Sequence, residues 1–282
     1  MMAHVLPRIA LFSGVFKTTP LPDLIARAAE AGFGGVEVLT GWGAQHLEHD
    51  TPLAELRPAV AACERHNMQI CGLYPNLDYR DDEAGRRAIA DRLAGFCKHA
   101  NALGAPFVKV PAGPMREELP IEDNCQLAAE WIQPLADRAA EFDLSVVIEI
   151  HPNSAVETVE RTVRVAELVE RENFGVMHDA GNLCYAGLDF GAESVRAVAP
   201  WLKHVHIKDM RPPESGEDAE GKKMLPTQFG EGIVDHVPAF RALIEIGYAG
   251  FMTCESMANP DSWEWAAAEH RAVTAALEEA AR

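Results

Sequence analysis

The chain has 282 residues, 48% of them apolar, and a formal net charge of −18. That is enough apolar content for one barrel-sized domain or two ordinary ones, and the acidity argues against binding nucleic acid by counterion release or docking on an anionic membrane surface. The six cysteines (Cys63, Cys71, Cys97, Cys125, Cys184, Cys254) form no C-x-x-C pair, no signal-peptide pattern opens the chain, and no apolar run approaches the ~18–20 residues that span a bilayer, so the reading is a cytoplasmic protein without a disulfide framework.

Strands and helices alternate from end to end. Short apolar runs predict strands over 8–12, 35–40, 69–74, 106–111, 144–150, 174–179, the stretch 201–211 and 250–255. Between them, helical periodicity predicts helices over 22–31, 52–66, 81–103, 122–142, 155–171, 190–199, 237–246 and 263–281. Gly32 and Gly104 stand where helices stop. Eight strand–helix units in a chain of 282 residues, with no linker or shift of composition, predict an α/β fold: one closed (β/α)₈ TIM barrel over 1–282. The polar segment 211–235, rich in Gly and Pro, is too long for a turn and reads as a functional loop.

The stretch Trp-Leu-Lys-His-Val-His-Ile-Lys-Asp-Met-Arg (201–211) stands out. In a strand, His204, His206 and Lys208 share one face. In a barrel, active groups collect at the C-terminal ends of the strands. Those ends carry Glu37, Tyr74, Lys109, Glu149 with His151, His178 with Asp179, His206 with Lys208, and Glu255. Two Glu, one Asp and one His make a mixed oxygen and nitrogen set of the kind that suits Mn²⁺, Mg²⁺, Co²⁺ or Fe²⁺; no cysteine is placed for a thiolate zinc site. Each group also has a structural reading. Asp179 suits a turn cap before Gly181-Asn182, Glu255 a cap for the last helix, His204 a satisfied core histidine, and Glu37 with Lys109 an ion pair inside the barrel mouth. Glu149 closes an apolar run, and a charge there must be paired, capped or metal-bound.

The segments Val-Ile-Glu-Ile-His (147–151), Met-His-Asp-Ala-Gly-Asn-Leu (177–183), His-Val-His-Ile-Lys-Asp (204–209), Phe-Gly-Glu-Gly-Ile-Val-Asp (229–235) and Thr-Cys-Glu-Ser (253–256) together resemble the xylose isomerase-like TIM-barrel superfamily. More narrowly, they resemble its sugar phosphate isomerase/epimerase branch, with ketose 3-epimerases and inositol-catabolism enzymes. The resemblance implies a divalent metal ion, Mn²⁺ first (Mg²⁺, Co²⁺, Fe²⁺ or Zn²⁺ otherwise), held by Glu149, Asp179, His206 and Glu255. It implies Glu149 and Glu255 as the acid/base pair of an isomerase or epimerase acting on a sugar, keto-sugar or cyclitol through a metal-stabilised enediolate. Two departures keep a second reading open. Asn182 stands where ketose 3-epimerases usually carry a histidine, and Lys208-Asp209-Met210-Arg211 with the 230–235 loop look more like inosose dehydratases. A dehydratase of a keto-inositol or keto-sugar would use the same metal site, with Lys208, His151 or His178 as general acid. A phosphodiesterase like the apurinic endonucleases of this superfamily would need more metal ligands and a basic face, which the charge opposes. Substrate binding is expected at Trp42, His46, Tyr74, Lys109, His151, Asn182, Lys208, Arg211 and the 211–235 loop. The expected partner is a small sugar or polyol, without nucleic acid or membrane, in a possible homodimer.

Overall fold

The computed structural model describes residues 6–80, 82–214, 216 and 223–282. Strands β1 (Arg8–Phe12), β2 (Gly35–Thr40), β3 (Gln69–Pro75), β4 (Phe107–Lys109), β5 (Ser145–Glu149), β6 (Phe174–Asp179) and β7 (Leu202–Ile207) run parallel. A short antiparallel pair, β8 (Asp209–Arg211) and β9 (Leu225–Thr227), follows. Strand β10 (Phe251–Cys254) pairs with both β7 and β1 and closes the barrel. The predicted (β/α)₈ barrel is therefore the fold.

Helices cover the barrel: α1 (Leu21–Glu30), α2 (Arg57–His66), α3 (Glu83–Leu103), α4 (Ile121–Ala140), α5 (Val159–Val169), α6 (Ala180–Tyr185), α7 (Ala192–Val198), α8 (Val237–Glu245) and α9 (Trp263–Ala280). Where these differ from the predicted spans, side-chain chemistry accounts for it. Thr158 accepts from the Arg161 amide at 3.2 Å, so α5 begins there and not at 155. Asp82 caps α3 in the same way through Gly85. The segment predicted as one helix over 52–66 is a 3₁₀ turn, Leu53–Leu56, followed by α2, with Pro58 in the first turn, where a missing N–H costs nothing. The six residues of α6 carry too little periodicity to be read from sequence.

Both faces of each strand are buried, and the alternation decides which residues meet the helices. Val36, Val38, Val146, Ile148, Val176, Val205, Ile207 and Met252 face outward into the main core. Phe12, Leu39, Tyr74, Phe107, Val147 and Met177 fill the barrel interior. Glu37, His204 and His206 belong to that interior too. The predicted strand over 201–211 is shorter: β7 ends at Ile207, and the chain re-pairs as a hairpin from Asp209. Residues 215 and 217–222 of the expected 211–235 loop lie outside the described residues. Among the described residues, no helix is long and apolar enough to cross a membrane.

Gly72 shows how tightly the interior is filled. A Cβ there would lie 2.2 Å from the Phe107 ring. Gly72→Ala is expected to lower stability by ~1–3 kcal/mol through overpacking, read as a reduced urea midpoint with unchanged m-value.

Candidate active site

Four donors converge at the C-terminal mouth of the barrel. Glu149 ends β5, Asp179 ends β6, His206 lies on β7, and Glu255 follows β10; one ligand atom from each lies within 4.8 Å of the others. Strand register produces this meeting, because Asp179 is the cross-strand partner of His206, and the Glu255 amide donates to Ile207 O at 2.9 Å. His206 Nδ1 faces Glu255 Oε2 at 3.1 Å, Glu149 Oε1 at 3.6 Å and Asp179 Oδ2 at 3.9 Å. Asp179 does two jobs. Its Oδ1 accepts from the Asn182 amide at 2.8 Å and opens α6, which is the expected cap. Its buried Oδ2 accepts no hydrogen bond, and its close contact is the Lys208 ammonium at 2.9 Å. A buried carboxylate oxygen that rests on an ion pair without a directed hydrogen bond, beside two glutamates and an imidazole, is a donor set of the kind that suits a divalent cation.

The carboxylates are held by neighbours. The Tyr74 hydroxyl donates to Glu149 Oε2, and Lys109 Nζ donates to the Tyr74 hydroxyl at 2.9 Å. Asn182 Nδ2 donates to Glu149 Oε1 at 3.0 Å and to Ile150 O at 2.9 Å. Lys208 Nζ reaches Glu255 Oε2 at 2.5 Å as well as Asp179, and lies 3.3 Å from Asn182 Oδ1. Its stem passes over Gly181, where a Cβ would sit 2.0 Å from Lys208 Cγ; only glycine leaves that path open. Burial alone would raise all three carboxyls. The nearby His206 imidazole and the Lys109 and Lys208 charges overcome it at Glu149 and hold that group well below the usual range. Lys208 and His206 also hold Glu255 down. At Asp179 burial wins over Lys208, and the carboxyl is pushed up to about 6. Burial would lower the Lys208 ammonium, but Asp179, Glu255 and Glu149 outweigh it and keep it protonated.

Beside the donors lies a cavity of about 570 Å³ walled by Trp42, Tyr74, Tyr79, Lys109, Glu149 and His151. Trp42 is half exposed at the rim and holds φ at 46°, in the left-handed region that is costly for a bulky residue. Of the expected substrate-binding residues, Trp42, Tyr74, Lys109 and His151 line this cavity, while Asn182 and Lys208 touch the donor carboxylates. Arg211 is exposed on β8 and pairs with Leu225, outside the cavity wall. His46 also stands outside the wall, its Nε2 donating to Ser13 O at 3.2 Å.

Three expectations are corrected. Glu37 does not pair with Lys109: Glu37 meets His204 and His206, and Lys109 lies 3.7 Å from Glu149. His178 is no candidate acid, because strand alternation turns it outward onto Ser194 Oγ at 2.8 Å; burial pushes it down to about 3, so it stays neutral. Glu255 does not cap the last helix, which Ser262 caps. His204 is the satisfied core histidine expected of it, bonded to Glu37 and Thr253. Sequence reasoning missed Tyr79 and the clearance at Gly181, since neither carries a local pattern.

The Phe229–Asp235 motif has a structural reason. Asp209 accepts backbone N–H groups from Met210 (2.8 Å), Gly230 (2.9 Å), Gly232 (2.9 Å) and Val234 (3.1 Å). A Cβ on Gly232 would lie 2.1 Å from Asp209 Oδ1. His236 Nε2 then donates to Lys208 O at 3.2 Å, so the loop braces the backbone of the lysine in the site.

The family description Xylose isomerase-like TIM barrel matches residues 25–276, and the chain belongs to that family. Among curated relatives, the inosose dehydratase of Klebsiella pneumoniae (strain 342) is 25% identical over 263 residues, covering 84% of this chain and 83% of that protein. Among solved structures, the IOLI protein with a binding zinc atom superposes with a TM-score of 0.80 at 18% identity, covering 96% of this chain and 98% of that one. An L-ribulose 3-epimerase superposes with a TM-score of 0.78 at 18% identity, covering 98% and 96%. At such identities, the structural likenesses speak for the fold.

Two outcomes are expected. Asp209→Asn exchanges an anion for a group that presents N–H to N–H, and is expected to cost ~1–3 kcal/mol; hydrogen exchange should rise at Gly230, Gly232 and Val234 before it rises in the barrel strands. Burial pushes His236 down from 6.5 to about 4, against the opposing Asp209 and Asp235 charges. A base depressed on folding stabilises the fold above its unfolded pKa, and that contribution is lost as pH falls from 6.5 toward 4, by up to ~1.4 kcal/mol per pH unit. His236→Gln should remove about one proton from the slope of unfolding free energy against pH in that window.

Proposed function

We propose that this chain is a divalent-metal-dependent enzyme that moves a proton beside the carbonyl of a small keto-polyol, and that the reaction completes as a dehydration. The proposed cation ligands are Glu149, Asp179, His206 and Glu255. Bound there, a divalent cation supplies Lewis-acid chemistry, drawing electron density from a carbonyl and a neighbouring hydroxyl. Zinc is the ion named with the IOLI barrel, and the proposal carries no preference for manganese.

Glu149 is the base. Its carboxyl is held ionised, with Oε2 fixed by Tyr74 and Oε1 by Asn182, so it is oriented to take a proton from the carbon next to the carbonyl. The C–H electron pair moves toward the carbonyl and returns as a C=C bond while the C–O bond of the β-hydroxyl breaks. Lys208 gives its proton to the departing oxygen, which leaves as water. The observation that carries this reading is the Lys208 ammonium built into the carboxylate cluster, 2.9 Å from Asp179 and 2.5 Å from Glu255. The inosose dehydratase relatives favour the same reading. The cavity fits a small polyol: Trp42 and Tyr79 offer ring faces, and Lys109 and His151 offer polar contacts.

Isomerisation or epimerisation is the second reading, favoured by one geometric fact. Glu149 and Glu255 enter the donor cluster from β5 and from just past β10, with β6 and β7 between them in the barrel order. Two carboxylates that flank a carbon remove a proton from one face and return it to the other.

The test is incubation of the protein, loaded with Zn²⁺, Mg²⁺ or Mn²⁺, with inososes and ketoses in D₂O. NMR then follows deuterium entry and loss of water. Glu149→Gln should lower both by ~10²–10⁴-fold. Lys208→Met should keep deuterium exchange and lose dehydration. If exchange leads only to an epimer or a rearranged ketose, and Lys208→Met leaves product formation untouched, the dehydratase reading fails and the two-carboxylate reading stands. Stripping the metal with a chelator should abolish turnover, with recovery on re-addition.

A further inference from the structure

We propose that Glu37, one layer below the site, is a positioning residue that fixes the imidazole of His206 with Nδ1 turned to the donor cluster. The proposal rests on reading Glu149, Asp179, His206 and Glu255 as cation ligands.

Glu37 lies on β2 in the middle of the barrel, with no exposed surface. A buried carboxylate is costly unless it is hydrogen-bonded. No Lys or Arg ion pair is found for it among the described residues. Its partners are two ring nitrogens. Oε2 accepts from His206 Nε2 at 2.7 Å and from His204 Nε2 at 3.1 Å. His204 Nε2 also lies 2.7 Å from Thr253 Oγ1, and the Phe107 ring packs against the His204 ring at 5.0 Å.

The consequence for His206 follows from what an imidazole has to offer. A neutral ring carries one N–H and one lone pair. A carboxylate at 2.7 Å accepts only an N–H, so Nε2 keeps its proton; Nδ1 donates to Glu255 Oε2 at 3.1 Å while the ring is cationic, and Nδ1 is therefore the nitrogen that gives up its proton to a bound cation. Nδ1 is the atom that faces Glu255, Glu149 and Asp179. Packing holds the ring in that pose: the Tyr74 ring lies nearly parallel to it at 6.0 Å, and Phe12 lies at 5.8 Å. His204 Nε2 carries one proton at most, so its N–H is shared between Glu37 Oε2 and Thr253 Oγ1, and Thr253 bears on Glu37 by drawing that N–H away from it. Carboxylates behind metal-bound histidines set tautomer and basicity in this way, and losing one costs ~10–100-fold in metal affinity.

A second cation held by Glu37, His204 and His206 is the competing account, since the three donors lie close together. The distances oppose it. Tetrahedral ligands at ~2.0–2.1 Å from an ion stand about 3.3 Å apart, whereas His206 Nε2 and Glu37 Oε2 are 2.7 Å apart, a hydrogen-bond separation.

The experiment compares wild type, Glu37→Gln and Thr253→Val. Zinc affinity and stoichiometry are measured by competition with a chromophoric chelator. The ¹H–¹⁵N signals of the His206 ring are read with and without zinc. Wild type should bind one zinc ion, with zinc on Nδ1 and a slowly exchanging, downfield Nε2–H present in both states. Glu37→Gln should bind one ion ~10–100-fold more weakly and lose the protected Nε2–H, with circular dichroism unchanged. Thr253→Val, a near-isosteric change, leaves the His204 N–H wholly to Glu37 Oε2 and makes that oxygen a poorer acceptor for His206, so it should weaken zinc in the same direction by a smaller factor, and it supplies the comparison if Glu37→Gln does not fold. Zinc affinity within twofold of wild type in the Glu37 variant, or zinc on Nε2, overturns the proposal. So does a stoichiometry of two that falls to one. A wild type that binds no zinc overturns the cation-site reading instead; the Nε2–H signal of His206, lost or kept in Glu37→Gln, then still decides whether Glu37 orients the ring.

Discussion

Three carboxylates, Glu149, Asp179 and Glu255, meet within one small buried volume, and everything around them answers to their mutual repulsion. Like charges at such separation in a low-dielectric interior are costly unless cations or hydrogen-bond donors face them. Here Lys208 stands between Asp179 and Glu255, His206 faces all three, and Lys109 with Tyr74 closes off Glu149. The result is an ordered cluster in which Asp179 Oδ2 rests on its ion pair with Lys208 and not on a directed hydrogen bond. A cation among these donors would relieve the repulsion further.

The barrel supplies the geometry, and its interior supplies the stiffness. Strand ends that are far apart in sequence are brought round one axis, and cross-strand register aligns Asp179 with His206 and His206 with Thr253. Beneath the donors, Phe12, Tyr74, Phe107, Val147 and Met177 form an apolar plug. Glu37 and Thr253 share the His204 Nε2 N–H in this interior. Outside the barrel, Asp209 gathers the amides of the Gly230–Val234 loop, and His236 ties that loop to the Lys208 backbone. The lysine is thus fixed at both ends: its backbone by the loop, and its ammonium by the carboxylates.

Much of this was legible beforehand. Strands β1, β2 and β6 begin and end where their apolar runs do, and the alternation of strand and helix names the barrel. The four donors are readable because strand ends in this fold carry function and because a charge closing an apolar run, as Glu149 does, needs a partner. What escaped prediction has physical causes. A six-residue helix such as α6 has no periodicity to read. His178 neighbours Asp179 in sequence, but strand alternation sends the two to opposite faces. Glu37 and Lys109 have opposite charges near one barrel mouth, and only the packed structure shows that each has a nearer partner.

By itself, the sequence determined the fold, its strand order and which residue types stand at the strand ends, because backbone periodicity and side-chain alternation are local properties of the chain. The tertiary structure decided which nitrogen of His206 faces the cluster, that Lys208 lies within it while Arg211 does not, and that Asp209 is spent on holding a loop. Those outcomes depend on distances of a few ångströms between elements remote in sequence, such as the 2.7 Å from Glu37 to His206. No local pattern encodes a contact of that kind.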